Sequence, residues 1–103
     1  DKPLQALLDQ FHQAYERRDL PKLLTITEMN EERRRNVDEM FRTYKSLKLS
    51  PATVKLEDGG ASAILLIESA ITTAGESVDL TPIAKKIKLH IARQGDSWDK
   101  IVW

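Results

Sequence analysis

The chain has 103 residues, 41% of them hydrophobic, and its sixteen basic and sixteen acidic side chains cancel. Because this size and apolar content close one core, we expect a single domain over 1-103. The zero net charge argues against a nucleic-acid partner, and the lack of cysteine excludes a disulfide scaffold, a thiolate metal site and a cysteine nucleophile.

Two helices are predicted at the start of the chain. Pro3 suits the first turn of a helix, and apolar residues then recur at intervals of three and four from Leu4 to Tyr15. Asp19 follows and can cap a second, short helix that has Pro21 near its start. The break between the two helices is therefore expected at Arg18 and Asp19.

A third helix is predicted to begin between Thr25 and Glu31 and to run to about Lys45. Thr25 and Glu28 have the spacing of a capping box, and Asn30 is an alternative cap. The acidic residues that come just before the arginines of this segment place negative charge near the positive end of the helix dipole. The usual interpretation of this charged run is a solvated helix face.

From about Ser46 the apolar period changes from three and four to two, which indicates strands. Four strands are predicted, over residues 47–56 with a bulge or edge at Pro51, 61–73, 78–93 with an irregularity at Pro82, and 98–103. Helices followed by strands are typical of an α+β fold, so we expect three helices packed on one face of a four-stranded antiparallel sheet.

Odd-numbered positions are predicted to face the helices in the second and third strands. They are Ala63, Leu65, Ile67, Ser69 and Ile71, then Ile83, Lys85, Ile87, Leu89 and Ile91. Neither Asp nor His occurs among them. The second strand is also apolar on its other face, at Ile64 and Leu66, which calls for a cover or a partner there.

The order of elements, the opening LLDQFHQAYERRDLPKLLTI and the closing GDSWDKIVW resemble the nuclear transport factor 2-like (SnoaL-like) superfamily over nearly the whole chain. The most specific match is Tyr15 to Leu23, which is similar to the superfamily's tyrosine, polar break, aspartate and leucine. The small hairpin usual between the second and third helices is absent. The resemblance implies a compact cystatin-like α+β roll, with a curved sheet and a cavity that members use as an enzyme pocket, a ligand site or simply as core.

Enzymes of this superfamily place an Asp or His base on the cavity wall, as the resemblance implies, and no such residue is found here. Glu68 and His90 have the opposite parity, and His12 lies at the margin of the first helix's apolar stripe. We therefore expect no catalytic residues. The candidates for a ligand pocket are Tyr15, Met40, Tyr44 and Trp98, which are equally suited to the core.

The outer face of the sheet is the main candidate for an interface. Its apolar centre and polar rim consist of Ile64, Leu66, Glu68, Lys86, Lys88 and His90. The sequence therefore favours a non-catalytic binding or self-association module, with a homodimer through this face as the resemblance implies. The alternative is a sensor for an unidentified small ligand, or an isomerase- or dehydratase-like enzyme, that uses a cavity between helix 1 and the sheet.

No motif indicates a cofactor, a phosphate loop or a metal site. The longest apolar run, residues 63–67, is too short to insert into a membrane, and the first residues do not resemble a signal peptide. We expect the chain to belong to a larger bacterial protein, extracytoplasmic by preference, with a cytoplasmic location left open. The lack of cysteine fits both compartments.

Overall fold

The structure is a computed structural model that describes residues 1–103, and it begins with three helices. They are α1 (Lys2–Glu16), α2 (Leu20–Ile26) and α3 (Glu31–Thr43). Each begins at a side-chain cap: carboxylate oxygens of Asp1 and Asp19 and the amide oxygen of Asn30 accept hydrogen bonds from backbone N–H groups in the first turn. The predicted cap at Asp19 is confirmed, and of the two candidates for α3 the structure uses Asn30.

Thr25 does not start a helix, and α3 is shorter than predicted. The Thr25 hydroxyl donates to the carbonyl oxygen of Lys22 inside α2. The third helix ends at Thr43, two residues before the predicted end at Lys45, because Tyr44 already pairs with Thr72 in the sheet. Tertiary pairing therefore overrides the helical period at this boundary.

Seven strands form one curled, mixed sheet. They are β1 (Thr27–Glu28), β2 (Tyr44–Leu49), β3 (Thr53–Glu57), β4 (Gly60–Thr72), β5 (Ser77–Asp79), β6 (Lys86–Gln94) and β7 (Ser97–Val102). The main strand order is β1-β7-β6-β4-β2, while β3 and β5 also pair with β4. All pairs are antiparallel except β1 with β7, which is parallel.

The prediction of three helices beside a curled sheet is confirmed, but that of four antiparallel strands is wrong. Two predicted strands are each divided at a proline, which cannot donate to a ladder. Pro51 lies between β2 and β3, and Pro82 lies in a 3₁₀ helix (Thr81–Ile83) between β5 and β6. The missed strand β1 has two residues, too few for a periodic signal.

The core lies between the helices and the odd-numbered residues of β4 and β6. Ala63, Leu65 and Ile67 of β4 are buried, as are Ile87, Leu89 and Ile91 of β6, as predicted. The prediction fails at Ile83, which is 67% exposed because it lies in the 3₁₀ helix. Lys85, just before β6, is exposed.

The prediction also fails at the end of β4. Ser69 and Ile71 are half-buried, whereas Ala70 between them is buried. The register between β2 and β4 shifts between Lys48 and Leu49, so the buried positions of β4 change from odd to even numbers after Ile67.

Arg18 joins the turn after α1 to the end of α3. Its backbone has φ 56°, a left-handed conformation that is uncommon for a residue with a side chain. Its guanidinium group donates to the carbonyl oxygens of Phe41 at 3.2 Å and Tyr44 at 3.3 Å. These carbonyls lie where α3 ends, so the arginine satisfies acceptors that the helix itself leaves free.

None of the helices in the structure combines the length and the apolar content that are needed to cross a lipid bilayer.

Candidate functional site

A cavity of about 370 Å³ lies between α3, the end of α1 and the sheet. One side of α3 supplies most of its wall, because residues three and four apart share a helix face. The thirteen lining residues are Tyr15, Arg33, Asn36, Val37, Glu39, Met40, Thr43, Tyr44, Ile67, Lys85, Lys86, Ile87 and Trp103. The volume lies within the range of small-molecule sites.

The floor of the cavity is apolar and aromatic. Val37, Ile67 and Ile87 are buried, and the Tyr15 ring is 2% exposed. Tyr15 packs in a tilted arrangement with Trp103, with the ring centroids 5.9 Å apart, and edge-to-face with Phe41 at 5.2 Å. These contacts hold the rings in place, so the floor presents a fixed apolar surface to anything that enters.

The rim of the cavity is mainly basic. Arg33 and Lys85 line it with exposed side chains, and Lys86 borders it at the first residue of β6, where even parity turns the side chain toward the outer face. Glu39 is the only carboxylate among the lining residues. The Arg33 guanidinium carbon lies 5.2 Å from the centre of the Trp103 ring, a cation–π arrangement. None of the three cations is in an ion pair within the chain. The entrance therefore favours negatively charged groups.

Tyr15, whose side chain ends in a hydroxyl group, is the only buried residue with a polar side chain among those that line the cavity. Burial raises the pKa of this hydroxyl above its ordinary value, and the positive charge of Arg33 opposes that rise in part. The phenol is therefore neutral at physiological pH and can donate a hydrogen bond. Because the only lining carboxylate is at the rim, the interior offers a hydrogen-bond donor and an apolar surface but no strong base.

Of the four pocket candidates, the structure places Tyr15, Met40 and Tyr44 on the cavity and Trp98 elsewhere. The Trp98 indole N–H donates to an Asp1 carboxylate oxygen at 3.2 Å, and Arg93 lies over its ring. A shift of register between β6 and β7, after Ile91, moves this part of β7 out of simple alternation. Whether the other three residues bind a ligand stays a prediction.

Sequence reasoning missed three residues of the site: Arg33, Lys85 and Trp103. A signal existed for two of them. Arg33 is seven residues before Met40 and so lies on the same helical stripe, and Lys85, the residue before β6, has the odd parity that was predicted to face inward. Trp103 left no such signal, because its position depends on the pairing of the chain end with β1, where its N–H donates to the Glu28 carbonyl.

The histidines and Glu68 lie away from this cavity. His12 contacts Glu16 one helical turn later, with Nε2 and a carboxylate oxygen 3.1 Å apart, and the same carboxylate accepts the backbone N–H of Leu49 at 2.8 Å. His90 is exposed opposite Ser62, and Glu68 is half-buried. No three His, Cys, Asp or Glu side chains lie close enough together to hold a metal ion.

The six interface candidates have even parity in β4 and β6, opposite to the odd-numbered residues that face the core. The side chains of Ile64 and Leu66 are 38% and 36% exposed. They stand directly opposite Lys88 and Lys86 in the ladder between β4 and β6. We call the patch formed by Ile64, Leu66, Lys86 and Lys88 the outer-face patch.

Comparison with solved structures shows the cystatin-like fold. A protein with a cystatin-like fold from Caulobacter vibrioides is 13% identical, with a TM-score of 0.63 over 98% of this chain and 84% of that one. AclR from Streptomyces galilaeus is 9% identical (TM-score 0.57, 94% and 71% covered), and TsrD from Streptomyces laurentii is 14% identical (TM-score 0.57, 99% and 86% covered).

No protein-family model matches the chain, and no curated protein is significantly similar in sequence. These structures are 9–14% identical to this chain and therefore show the fold alone: the cystatin-like α+β roll that the resemblance implied is confirmed. The missing hairpin is also confirmed, since only β1 lies between α2 and α3.

Proposed function

We propose that this domain binds a small organic anion in the cavity between α3 and the sheet. The observation that carries the proposal is the combination of a buried aromatic floor with a rim where Arg33 and Lys85 outnumber the single carboxylate, Glu39. The floor suits a flat apolar body, and the rim suits a carboxylate, sulfonate or phosphate group attached to it. The ligand therefore carries both features in one molecule.

Arg33 is the cation best placed to recognise the anionic group. Its guanidinium group is already held over Trp103, so less side-chain freedom is lost when it binds a ligand. A planar guanidinium can donate two parallel hydrogen bonds to a carboxylate. Lys85 approaches the same cavity from the residue before β6 and adds charge without that directionality.

Binding is favoured over catalysis by the chemistry of the interior. A general base that works at neutral pH needs a pKa near the working pH, and the raised pKa of Tyr15 keeps its hydroxyl protonated. Glu39 is exposed at the rim, away from the aromatic floor. The residues of the site are thus suited to hold and orient a ligand.

Two fluorescent probes of nearly the same shape test the proposal. Anilinonaphthalene sulfonate carries an anionic group, and phenylnaphthylamine is its uncharged counterpart. In a Trp98→Phe variant, Trp103 is the only tryptophan and lines the cavity, so a bound probe should quench its fluorescence. We expect both probes to quench and the sulfonate to bind more tightly.

Charge-removing variants then test the role of the rim. Arg33→Gln combined with Lys85→Gln should lower the affinity for the sulfonate probe by roughly tenfold, because each exposed charge contact contributes up to about 1 kcal/mol. Binding of the neutral probe should stay the same. Arg42→Gln with Lys88→Gln changes the net charge equally, away from the cavity, and should have no effect. Absence of quenching, or equal loss in both double variants, would contradict the proposal.

A second candidate function is self-association through the outer-face patch. It is supported by two apolar side chains, Ile64 and Leu66, that stay exposed side by side in the central strand β4. Flanking Lys86 and Lys88 are joined there by Glu68 and His90, a mixture of charges that suits the rim of an interface. In this case the partner is a second copy of the chain.

Leu66→Glu tests this second candidate. It should convert dimers to monomers in light scattering while the circular dichroism spectrum stays unchanged, because the interface would lose the apolar contacts of Leu66 and would have to desolvate a carboxylate at its centre. Ile83→Glu adds the same charge at another exposed apolar residue, in the 3₁₀ helix, and serves as the control. An unchanged mass for Leu66→Glu would contradict the outer-face dimer.

A further inference from the structure

Strand β3 is an open edge of the sheet. It pairs with β4 on one side, and no strand pairs with its other side. All five of its residues are exposed. Open edges offer unpaired backbone groups to another strand, so folded proteins usually cover or blunt them.

The hydrogen bonds of β4 show which residues of β3 point outward. The carbonyl oxygen of Leu66 accepts from the N–H of Ser50, which lies between β2 and β3, whereas the N–H of Ile67 donates to the carbonyl of Lys85, on the β6 side. Even-numbered residues of β4 therefore bond toward the β3 side. These residues stand opposite Thr53, Lys55 and Glu57. Because bonding alternates along an antiparallel ladder, the N–H and C=O groups of Val54 and Leu56 point to the open edge.

The same two residues carry exposed apolar side chains. Val54 is 39% exposed and Leu56 is 66% exposed. They stand opposite Ala63 and Ala61, and therefore lie on the concave side of the sheet, beyond the cover of the helices. Both the backbone and the side chains of β3 are thus ready to pair with a strand.

We propose that β3 pairs antiparallel with β3 of a second copy of this chain, around a two-fold axis at Leu56. In this register Leu56 stands opposite its own copy, with both N–H···O=C bonds formed between them. Lys55 stands opposite Glu57 of the other copy, twice by symmetry. Both residues are free to form these pairs, because neither is in an ion pair within the chain.

Charge complementarity selects this occupant and this register. An axis at Lys55, one residue earlier, would place Lys55 directly opposite itself, which is destabilising in a cross-strand pair. The axis at Leu56 replaces that repulsion by two opposite-charge pairs and brings two apolar side chains together on the concave face. The surface is distinct from the outer-face patch, and the inference does not depend on ligand binding in the cavity.

A five-residue edge forms a small interface, so we expect a weak, concentration-dependent dimer. Sedimentation equilibrium of the wild-type protein should give a mass that rises from 11.7 kDa toward twice that value with concentration. Lys55→Glu should weaken association at least tenfold, because it places a carboxylate opposite Glu57. Glu57→Lys should do the same by placing an ammonium group opposite Lys55.

The two charge changes together provide the decisive control. Combined in one chain, Lys55→Glu and Glu57→Lys should restore the wild-type dimer, since the opposite charges are only exchanged. An equimolar mixture of the two single variants should also form a mixed dimer. Both positions are exposed, so the folds should stay intact, which circular dichroism checks.

Three results would overturn the proposal. The wild-type protein could stay monomeric at the highest concentration, the combined variant could fail to recover association, or Lys55→Glu could leave a dimer that Leu66→Glu abolishes. The last result would assign self-association to the outer-face patch. Restored association in the combined variant, with Leu66→Glu still dimeric, would support pairing through β3.

Discussion

Replacing Gly60 by alanine should destabilise the fold, because the missing side chain lets β4 and β6 approach each other. A Cβ atom at this position would lie 2.4 Å from the carbonyl oxygen of Ile91 and 3.3 Å from the Cα of Ala92. Both are backbone atoms of β6, the strand that pairs with Gly60 in the ladder. No side chain can rotate away, so the strands themselves must separate.

The size of the effect follows from this geometry. Relief of the contact to 3.0 Å requires the strands to move apart by about 0.6 Å. Overpacking of this kind costs about 1–3 kcal/mol, and each ladder hydrogen bond that lengthens adds roughly 1 kcal/mol. We expect the free energy of unfolding to fall by about 2–4 kcal/mol in Gly60→Ala, measured by urea denaturation with an unchanged m value.

Gly59→Ala is the matched control. Gly59 has φ +77°, and no atom lies within 4 Å of the place where a Cβ would stand, so alanine there costs only the backbone strain of about 1–2 kcal/mol. If Gly60→Ala loses no more stability than Gly59→Ala, the close approach of β4 and β6 does not limit this position and the reasoning is wrong.

Variants at three further positions test contacts that organise the helices and the cavity floor. Arg18→Ala should lower stability by about 1–3 kcal/mol in thermal denaturation, because it leaves two carbonyls at the end of α3 without their donor. Arg18→Gly should lose less stability, since glycine adopts the φ of 56° without strain. Asn30→Ala should cost about 1 kcal/mol through loss of the α3 cap, and an unchanged melting temperature would contradict this. Above about pH 10 the unfolded state loses the Tyr15 proton while the folded state keeps it, so the free energy of unfolding should fall by up to roughly 1 kcal/mol per pH unit. Tyr15→Phe should remove this pH dependence. Equal slopes in the wild-type protein and the variant would refute the prediction.

The local pattern of the sequence was sufficient to predict the helices and the buried face of the sheet. The caps at Asp19 and Asn30 and the apolar spacing of α1 depend on residues within a few positions of one another, so they are visible in the chain itself. The alternation of Ala63, Leu65 and Ile67 is visible for the same reason. These features confirm the α+β class.

The tertiary structure alone decided the number of strands, the parallel pair β1–β7 and the composition of the cavity. Thr27 pairs with Ile101, far away in the chain, and this contact also places Trp103 beside Tyr15. Sequence periodicity reports the faces of one element, whereas a cavity is assembled from several elements whose register depends on bulges and chain ends. For that reason the sequence by itself determined the buried face of α1 and of the middle of β4 and β6, and the folded chain determined that Trp103 and not Trp98 faces the cavity.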